Sequence, residues 1–302
     1  MIEQKPAHSS FGMEKTIWEL DLYSRPILDE NKKKLWEVLI CESPTNIEQS
    51  LDSLFRYSKF TDSRSVNSIW LCEAINDAIA QAPEPPSRIR FFRRQMNNMI
   101  AKACTDAGIP ASPSRRTYTL RRWLQERLEN VYPQQEGYDE KAATNVGVQY
   151  PATSPVRLPD PLRGDKADKW ALVSLQVSDF VDMKEWDIAF GEGLPLAMVD
   201  IAPETKIPGL IIFSPRAMPI AAWMSDLELS YLRLEPGDRP VLCLETGISD
   251  SWILANVTDE QTVAEAQGFE AAKQQAEGLH FLAIQSNPES ESFAGFWVLK
   301  AD

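Results

Sequence analysis

The chain has 302 residues, 43% hydrophobic and 25% charged, with a formal net charge of −13. Those are ordinary values for a globular protein, and the negative balance argues against a surface coated in nucleic acid. The length fits two domains of about 150 residues, each able to bury a core. No apolar run approaches the roughly 18 residues of a membrane span. The opening MIEQKPAHSS reads as neither a signal nor a transit peptide, so a cytoplasmic protein is expected. Cys41, Cys72, Cys104 and Cys243 lie far apart among apolar neighbours, without the C-x-x-C spacing of a zinc or redox motif. With His8 and His280 as the two histidines, a histidine-rich metal site or a serine–histidine hydrolase is hard to build.

After a tail of residues 1–16, Trp18 to Leu28 alternates as a strand, and Asp29–Lys32 turns the chain into a second strand, Leu35 to Cys41. Residues 51–60 fit a short edge strand. The spacing of Leu71, Ile75, Ala78, Ile79 and Ala82 predicts a helix from about Val66 to Ala82, stopped by Pro83, Pro85 and Pro86. Arg88 to Arg94 reads as a strand. Met96, Met99, Ile100 and Ala103 lie on a second helix ending at Gly108. Ser112-Pro113 has the form of a helix cap and first residue, opening a third helix with Leu120, Leu124, Leu128 and Val131 inward.

Residues 134–169 are polar and proline-rich, a linker in which Leu158 to Gly164 is expected to dock on a surface. Residues 170–302 form a second domain. Its expected strands are Trp170–Val177, Leu196–Ile201, Leu210–Phe213, Val241–Glu245, Trp252–Val257, Leu279–Gln285 and Phe293–Leu299. Its helices fall near Ala217–Leu232 and Val263–Glu277. The fold class is therefore mixed α/β in two domains, 17–133 and 170–302. The order of the first half, a strand meander followed by alternating helices and strands, resembles the ribonuclease H-like fold.

That analogy raises the sharpest enzymatic reading, a metal-dependent nuclease, in which carboxylates converge on two metal ions. Asp21 stands where such a fold places its first ligand, and Glu73 is a second candidate. The next strand, Arg88-Ile-Arg-Phe-Phe-Arg-Arg94, supplies no acid, and Glu126 and Glu129 sit among arginines. Asp21 and Glu73 are better read as a solvated strand residue and a helix-face charge. The second constellation is basic. Residues 88–127 hold ten basic and two acidic residues, a local balance of +8, whereas the other 262 residues hold 21 basic and 42 acidic, a balance of −21. Arg88, Arg90 and Arg94, with Phe92 between them, offer guanidinium forks for phosphates and a ring for base stacking. Arg115 and Arg116 fall in the first turn expected of the third helix, where cations oppose the macrodipole unless an anion joins them. Arg121 and Arg122 extend the cluster. The competing reading pairs these arginines with the acidic remainder, across the domain boundary. Trp223, Trp252 and Trp297 stand in apolar contexts suited to a core. Glu245-Thr-Gly247 has the form of a turn, Asp226/Glu228 and Glu289/Glu291 of solvated surface, and His280 of a structural histidine.

Several strings are more specific than these patterns. They include Trp18-Glu-Leu-Asp21, Ser24-Arg-Pro26, Arg90-Phe-Phe-Arg93, Gln95-Met96, Pro113-Ser-Arg-Arg-Thr117 and Val131-Tyr-Pro133. Further along stand Leu158-Pro-Asp160, Leu162-Arg-Gly164, Ile207-Pro-Gly-Leu210, Ala222-Trp-Met-Ser225, Leu244-Glu-Thr-Gly247, Gly278-Leu-His-Phe-Leu-Ala283 and Gly295-Phe-Trp297. In this order they resemble the Tab/Atab family of RNA-binding translation activators, from about residue 17 to residue 299. The resemblance implies a non-enzymatic protein, without cofactor or metal, of a cyanobacterial cytoplasm. It would act on the 5′ untranslated region of the messenger for a photosystem I reaction-centre subunit and serve photosystem biogenesis, with other translation or assembly factors as potential partners. A protein-only assembly scaffold is the remaining alternative. The family's terminal Trp-Leu-Leu, tied to RNA binding, is here Trp297-Val298-Leu299. An RNA contact at Trp297 and Leu299 competes with burial, which the alternation Phe296/Val298 against Trp297/Leu299 favours. On the RNA reading, Arg90, Arg94, Arg115 and Arg116 line one surface.

Overall fold

The computed structural model describes residues 16–143, 153–159, 162, 168–199 and 201–301. The tail expected at 1–16 lies almost wholly outside them, as do most of 144–167.

The first half is built on β1 (Ile17–Leu28), β2 (Lys34–Ser43) and β3 (Arg56–Thr61), an antiparallel meander. Alternation along β1 sends Trp18, Leu20 and Leu22 to one face of the sheet. Helix α1 (Ser68–Gln81) covers that face, capped by the Asn67 carboxamide, which accepts from Ile69 N and Trp70 N. Strand β4 (Arg88–Phe91) runs parallel to β1, and α2 (Asn97–Asp106) joins α1 on the same face. Strand β5 (Ala111–Pro113) pairs parallel with β4, completing the order β3-β2-β1-β4-β5. Helix α3 (Tyr118–Asn130) packs Leu120, Trp123 and Leu124 against Leu39, Cys41 and Phe92 on the other face.

Two expectations change here. Residues Ser112 and Pro113 belong to β5, so α3 begins at Tyr118, and Arg115 and Arg116 lie in the loop before it. The reason is tertiary: Ser114 N donates to Phe91 O on β4, and Arg115 N donates to Gly247 O in the second half. Strand β4 also ends at Phe91, and a 3-10 turn starts at Arg94, so strand alternation does not carry from Arg88 to Arg94.

The second half contributes α4 (Glu140–Ala143) and β6 (Val156–Arg157) from the expected linker; β6 pairs with a later strand. Leu158 is buried and Leu162 packs against the core, while Asp160, Pro161, Arg163 and Gly164 lie outside the described residues. Next come β7 (Lys169–Gln176), a run of 3-10 turns over Val177–Glu185, β8 (Ile188–Glu192), β9 (Lys206–Phe213), α5 (Ala217–Ser225) and β10 (Leu229–Glu235). They are followed by β11 (Val241–Thr246), β12 (Asp250–Asn256), α6 (Glu260–Gln275), β13 (Leu279–Gln285) and β14 (Phe293–Lys300). Two sheets result, β7-β9-β13-β14-β8 and β10-β11-β12-β6. Within the strand expected at Leu196–Ile201, Leu196–Met198 form a 3-10 turn after Pro195, and the edge is instead built by β8, whose Gly191 interrupts its apolar pattern. A Cβ on Gly191 would lie 2.3 Å from Phe296 O, so this strand can approach β14 only with glycine there. The helix expected at Ala217–Leu232 stops at Ser225, because Leu229 onward pairs with β11. The chain is thus mixed α/β throughout, and no described helix is long and apolar enough to cross a membrane.

Trp297 on β14 is 4% exposed and lies in a core formed with Leu210, Ala221, Met224 and Leu282, while Leu299 is fully buried. A Cβ added at Gly295 would fall 2.4 Å from the Trp297 ring, so the glycine makes room for the indole. Trp297→Ala is expected to destabilise the protein by about 3–5 kcal/mol. Thermal and denaturant unfolding check this; an unchanged transition would remove Trp297 from the core.

Candidate nucleic-acid interface

The basic segment 88–127 enters the junction between the halves. Arg90, on β4, is 1% exposed and spans two carboxylates of the second half. Its Nη1 and Nη2 donate to Glu192 at 2.7 and 2.8 Å, and its Nε donates to Glu228 Oε2 at 2.6 Å. Arg116, in the loop before α3, donates from Nε to the same Glu192 carboxylate at 2.7 Å. Its Nη1 and Nη2 reach Val298 O and Gly193 O, each at 2.9 Å. Glu228 also accepts from the Ser114 hydroxyl at 3.1 Å and pairs with Arg88 at 3.1 Å. Arg115 donates to the Tyr231 hydroxyl at 2.8 Å and to Ile248 O at 3.1 Å, and faces Glu245 at 3.5 Å. Tyr118 follows them into the apolar core of the second half, and its hydroxyl donates to Lys300 O at 3.0 Å.

Burial opposes the charge of Glu192, but Arg116 and Arg90 outweigh it and hold the carboxyl far below the usual carboxylate range. The Arg90 guanidinium, opposed by burial and supported by Glu192 and Glu228, is held charged more firmly than usual.

A second buried network lies on the α3 face of the first sheet. Asp21 is fully buried and pairs with Arg93 at 2.5 Å and Arg25 at 2.9 Å. Glu37 accepts from Arg25 Nε at 2.9 Å, from the Tyr132 hydroxyl at 2.5 Å and from Arg127. Asp21 is therefore not a solvated strand residue. Glu73 is exposed on α1, across the sheet from Asp21, so the two carboxylates do not converge. Among the described residues no group of three or more histidine, cysteine or acidic side chains is placed to hold a metal.

The predicted residues consequently separate by environment. Arg90, Arg115, Arg116 and Phe92 are buried, Arg88 and Arg121 are partly covered, and Arg94 and Arg122 are exposed. Arg121 donates to Arg115 O at 3.2 Å and lies over the Tyr118 ring. Arg90, Arg94, Arg115 and Arg116 do not share one exposed face. Glu228 is not solvated surface; it is 7% exposed and holds two arginines and a serine. Glu245 accepts from Arg233 and Ser251 just before the turn at Gly247, and Glu19 accepts from Leu120 N at 2.7 Å, capping α3 from β1. Glu192 carries no local signal that would single it out. His280 is buried, with Nε2 accepting from Leu232 N and Nδ1 facing Gly278 O; burial pushes it down to about 3, so it stays neutral.

Both halves match one family. The profile described as RNA-binding protein Tab2/Atab2 N terminal covers residues 17–127, and that of the RNA-binding protein Tab2/Atab2 C-terminal domain covers 145–300. The chain belongs to the Tab2/Atab2 family. The chloroplastic protein TAB2 homolog of Zea mays is 38% identical over 291 residues, spanning 93% of this chain and 70% of the maize protein. The Arabidopsis thaliana homolog is 36% identical over 293 residues, spanning 93% and 74%. Among solved structures, the HTLV-2 integrase catalytic core domain with magnesium is 15% identical over 39% of this chain and 69% of its own, at a TM-score of 0.26, too low to carry an argument. In this Tab2/Atab2 protein the two matched regions meet at the Arg90–Glu192–Arg116 cluster.

Removing Glu192 leaves two buried guanidinium groups without their shared anion. Glu192→Ala is expected to destabilise the protein by about 3–5 kcal/mol, measured by denaturant unfolding with Arg90→Ala and the double variant as a cycle; additive effects would dissolve the coupling.

A second expectation concerns pH. Burial raises the Glu19 carboxyl from 4.5 to about 7, although Leu120 N, Ser43, Arg90 and Arg121 pull it down. A group raised on folding gives stability that is fully present below the unfolded value near 4.5 and declines until the folded value near 7 is passed. Glu192 acts oppositely, its contribution being lost as pH falls below 4.5. Glu19→Gln keeps an acceptor for Leu120 N and should flatten the decline in stability between pH 5 and 7, measured by denaturant midpoints. An unaltered slope would show that Glu19 does not titrate there.

Proposed function

We propose that this Tab2/Atab2 protein binds messenger RNA in the cytoplasm and promotes translation of a photosystem I reaction-centre message from its 5′ untranslated region, without catalysing a reaction. The observation that carries the proposal is the match of both halves to an RNA-binding family. The names of the plant relatives place those proteins in chloroplasts, which agrees with a photosynthetic role.

Arg94 and Arg122, which are exposed, are the residues of the basic segment suited to direct phosphate contact, while Arg88 and Arg121 are partly covered. Arg90, Arg115, Arg116 and Phe92 support the surface from within, and Trp297 and Leu299 act through the core. The domains proposed are 17–133 and 170–302, joined by 134–169. The sheet order β3-β2-β1-β4-β5, antiparallel then parallel, supports a ribonuclease H-like reading of the first. Against the nuclease alternative stand the two arginines on Asp21 and the position of Glu73 across the sheet.

RNA affinity of the purified chain should fall with salt, because each neutralised phosphate releases counterions, with a log–log slope of about −0.7 per contact on single strands. Arg94→Ala with Arg122→Ala should weaken binding and flatten that slope at an unchanged melting temperature. Arg115→Ala with Arg116→Ala should lower the melting temperature as well. Crosslinking in cells and sequencing of the bound RNA identify the message. A photosystem transcript supports the proposal, and a purified chain with no salt-dependent RNA affinity overturns it. Magnesium-dependent RNA cleavage blocked by a chelator would restore the nuclease.

A further inference from the structure

Strand β8 is the last strand of its sheet, hydrogen-bonded to β14 on one side. Its other edge borders a cleft of about 1640 Å³, whose far wall comes from the first half, from the 45–49 loop, Arg88 and Pro110. Asp187 O accepts from Phe293 N on β14. Since successive residues of a strand direct their N–H and C=O groups to opposite sides, Ile188 and Phe190 turn theirs toward the cleft. An open edge of this kind is a template for an incoming strand.

The side chains around it state what kind of strand would fit. The cations on the cleft are already matched: Arg88 by Glu228, Arg116 by Glu192, and Lys184 by Glu48 at 3.0 Å. Glu185, Asp187 and Asp226 also line the cleft and make no ion pair among the described residues. Apolar surface lies between them: Val181 is 61% exposed, and Trp186 and Phe190 are half-buried. A phosphate backbone would meet uncompensated carboxylates here, whereas alternating cationic and apolar side chains would meet both features.

We propose that this cleft is a docking site for an extended basic segment of a partner protein, which adds a strand to the β8 edge and sets its Lys or Arg side chains against Glu185, Asp187 and Asp226. Neither Arg94 nor Arg122 lines this cleft, so the protein could hold a message and a basic protein together.

The test uses the full chain and a labelled eight-residue peptide of alternating Arg and Val, with a Glu/Val peptide and the same Arg/Val peptide N-methylated at alternate residues as controls. The Arg/Val peptide should bind, more weakly as salt rises, and both controls should bind at least tenfold more weakly. Glu185→Gln, Asp187→Asn and Asp226→Asn together should reduce its affinity about tenfold, leaving melting temperature and RNA affinity unchanged. Equal binding of the N-methylated peptide, or full affinity in the triple variant, would overturn the proposal. So would an RNA oligonucleotide that displaces the peptide and crosslinks to β8. Loss of RNA binding by the chain, with peptide binding intact, would count against the RNA proposal alone.

Discussion

The junction of this protein depends on one carboxylate. Glu192 receives three N–H donors from Arg90 and Arg116, which arrive from a strand and a loop of the first half. A charge withdrawn from water is tolerable only when its partners are complete, and here each guanidinium also finds other acceptors: Glu228 for Arg90, and two carbonyls for Arg116. The planar guanidinium supplies several donors in a fixed fork, which a lysine could not reproduce. Because Glu192 ends β8, the same contact fixes where the open edge of that sheet lies against the first half.

The basic balance of residues 88–127 therefore does not translate into an equally positive surface. Much of that charge is neutralised internally, by Glu192, Glu228 and Glu245 across the junction and by Asp21 and Glu37 within the first half. Net charge along a sequence segment describes a field only when the side chains reach solvent. In an acidic protein whose arginines are largely paired internally, the field available to attract nucleic acid non-specifically is small.

The buried network of the first half also leaves no place for acids to converge on Asp21. Where a metal site would need a second carboxylate near Asp21, the chain after β4 brings Arg93, and β1 itself brings Arg25. Guanidinium groups neutralise the aspartate and bind β1 to the start of the next helical segment. Tyr23 adds to this by lying 3.8 Å from the Arg93 guanidinium.

The sequence by itself determined the mixed α/β class, the meander, α1, α2, β13 and β14, because these elements repeat their apolar residues with the period of their own backbone. It also determined the family, through strings spread over both halves. It did not determine the start of α3, the brevity of α5 or the identity of β8. Ser112-Pro113 has the local form of a helix cap, yet pairing with β4 makes it strand, and the hydrogen bond from Arg115 N to Gly247 O holds the loop that follows. Nor could it place the arginines, for which phosphate binding and ion pairing demand the same side chains. Their partners are remote: Glu192 stands 76 residues beyond Arg116, and Glu228 stands 138 beyond Arg90. Local periodicity carries no information about pairings at that separation, and only the packing of one half against the other decided which anions these cations meet.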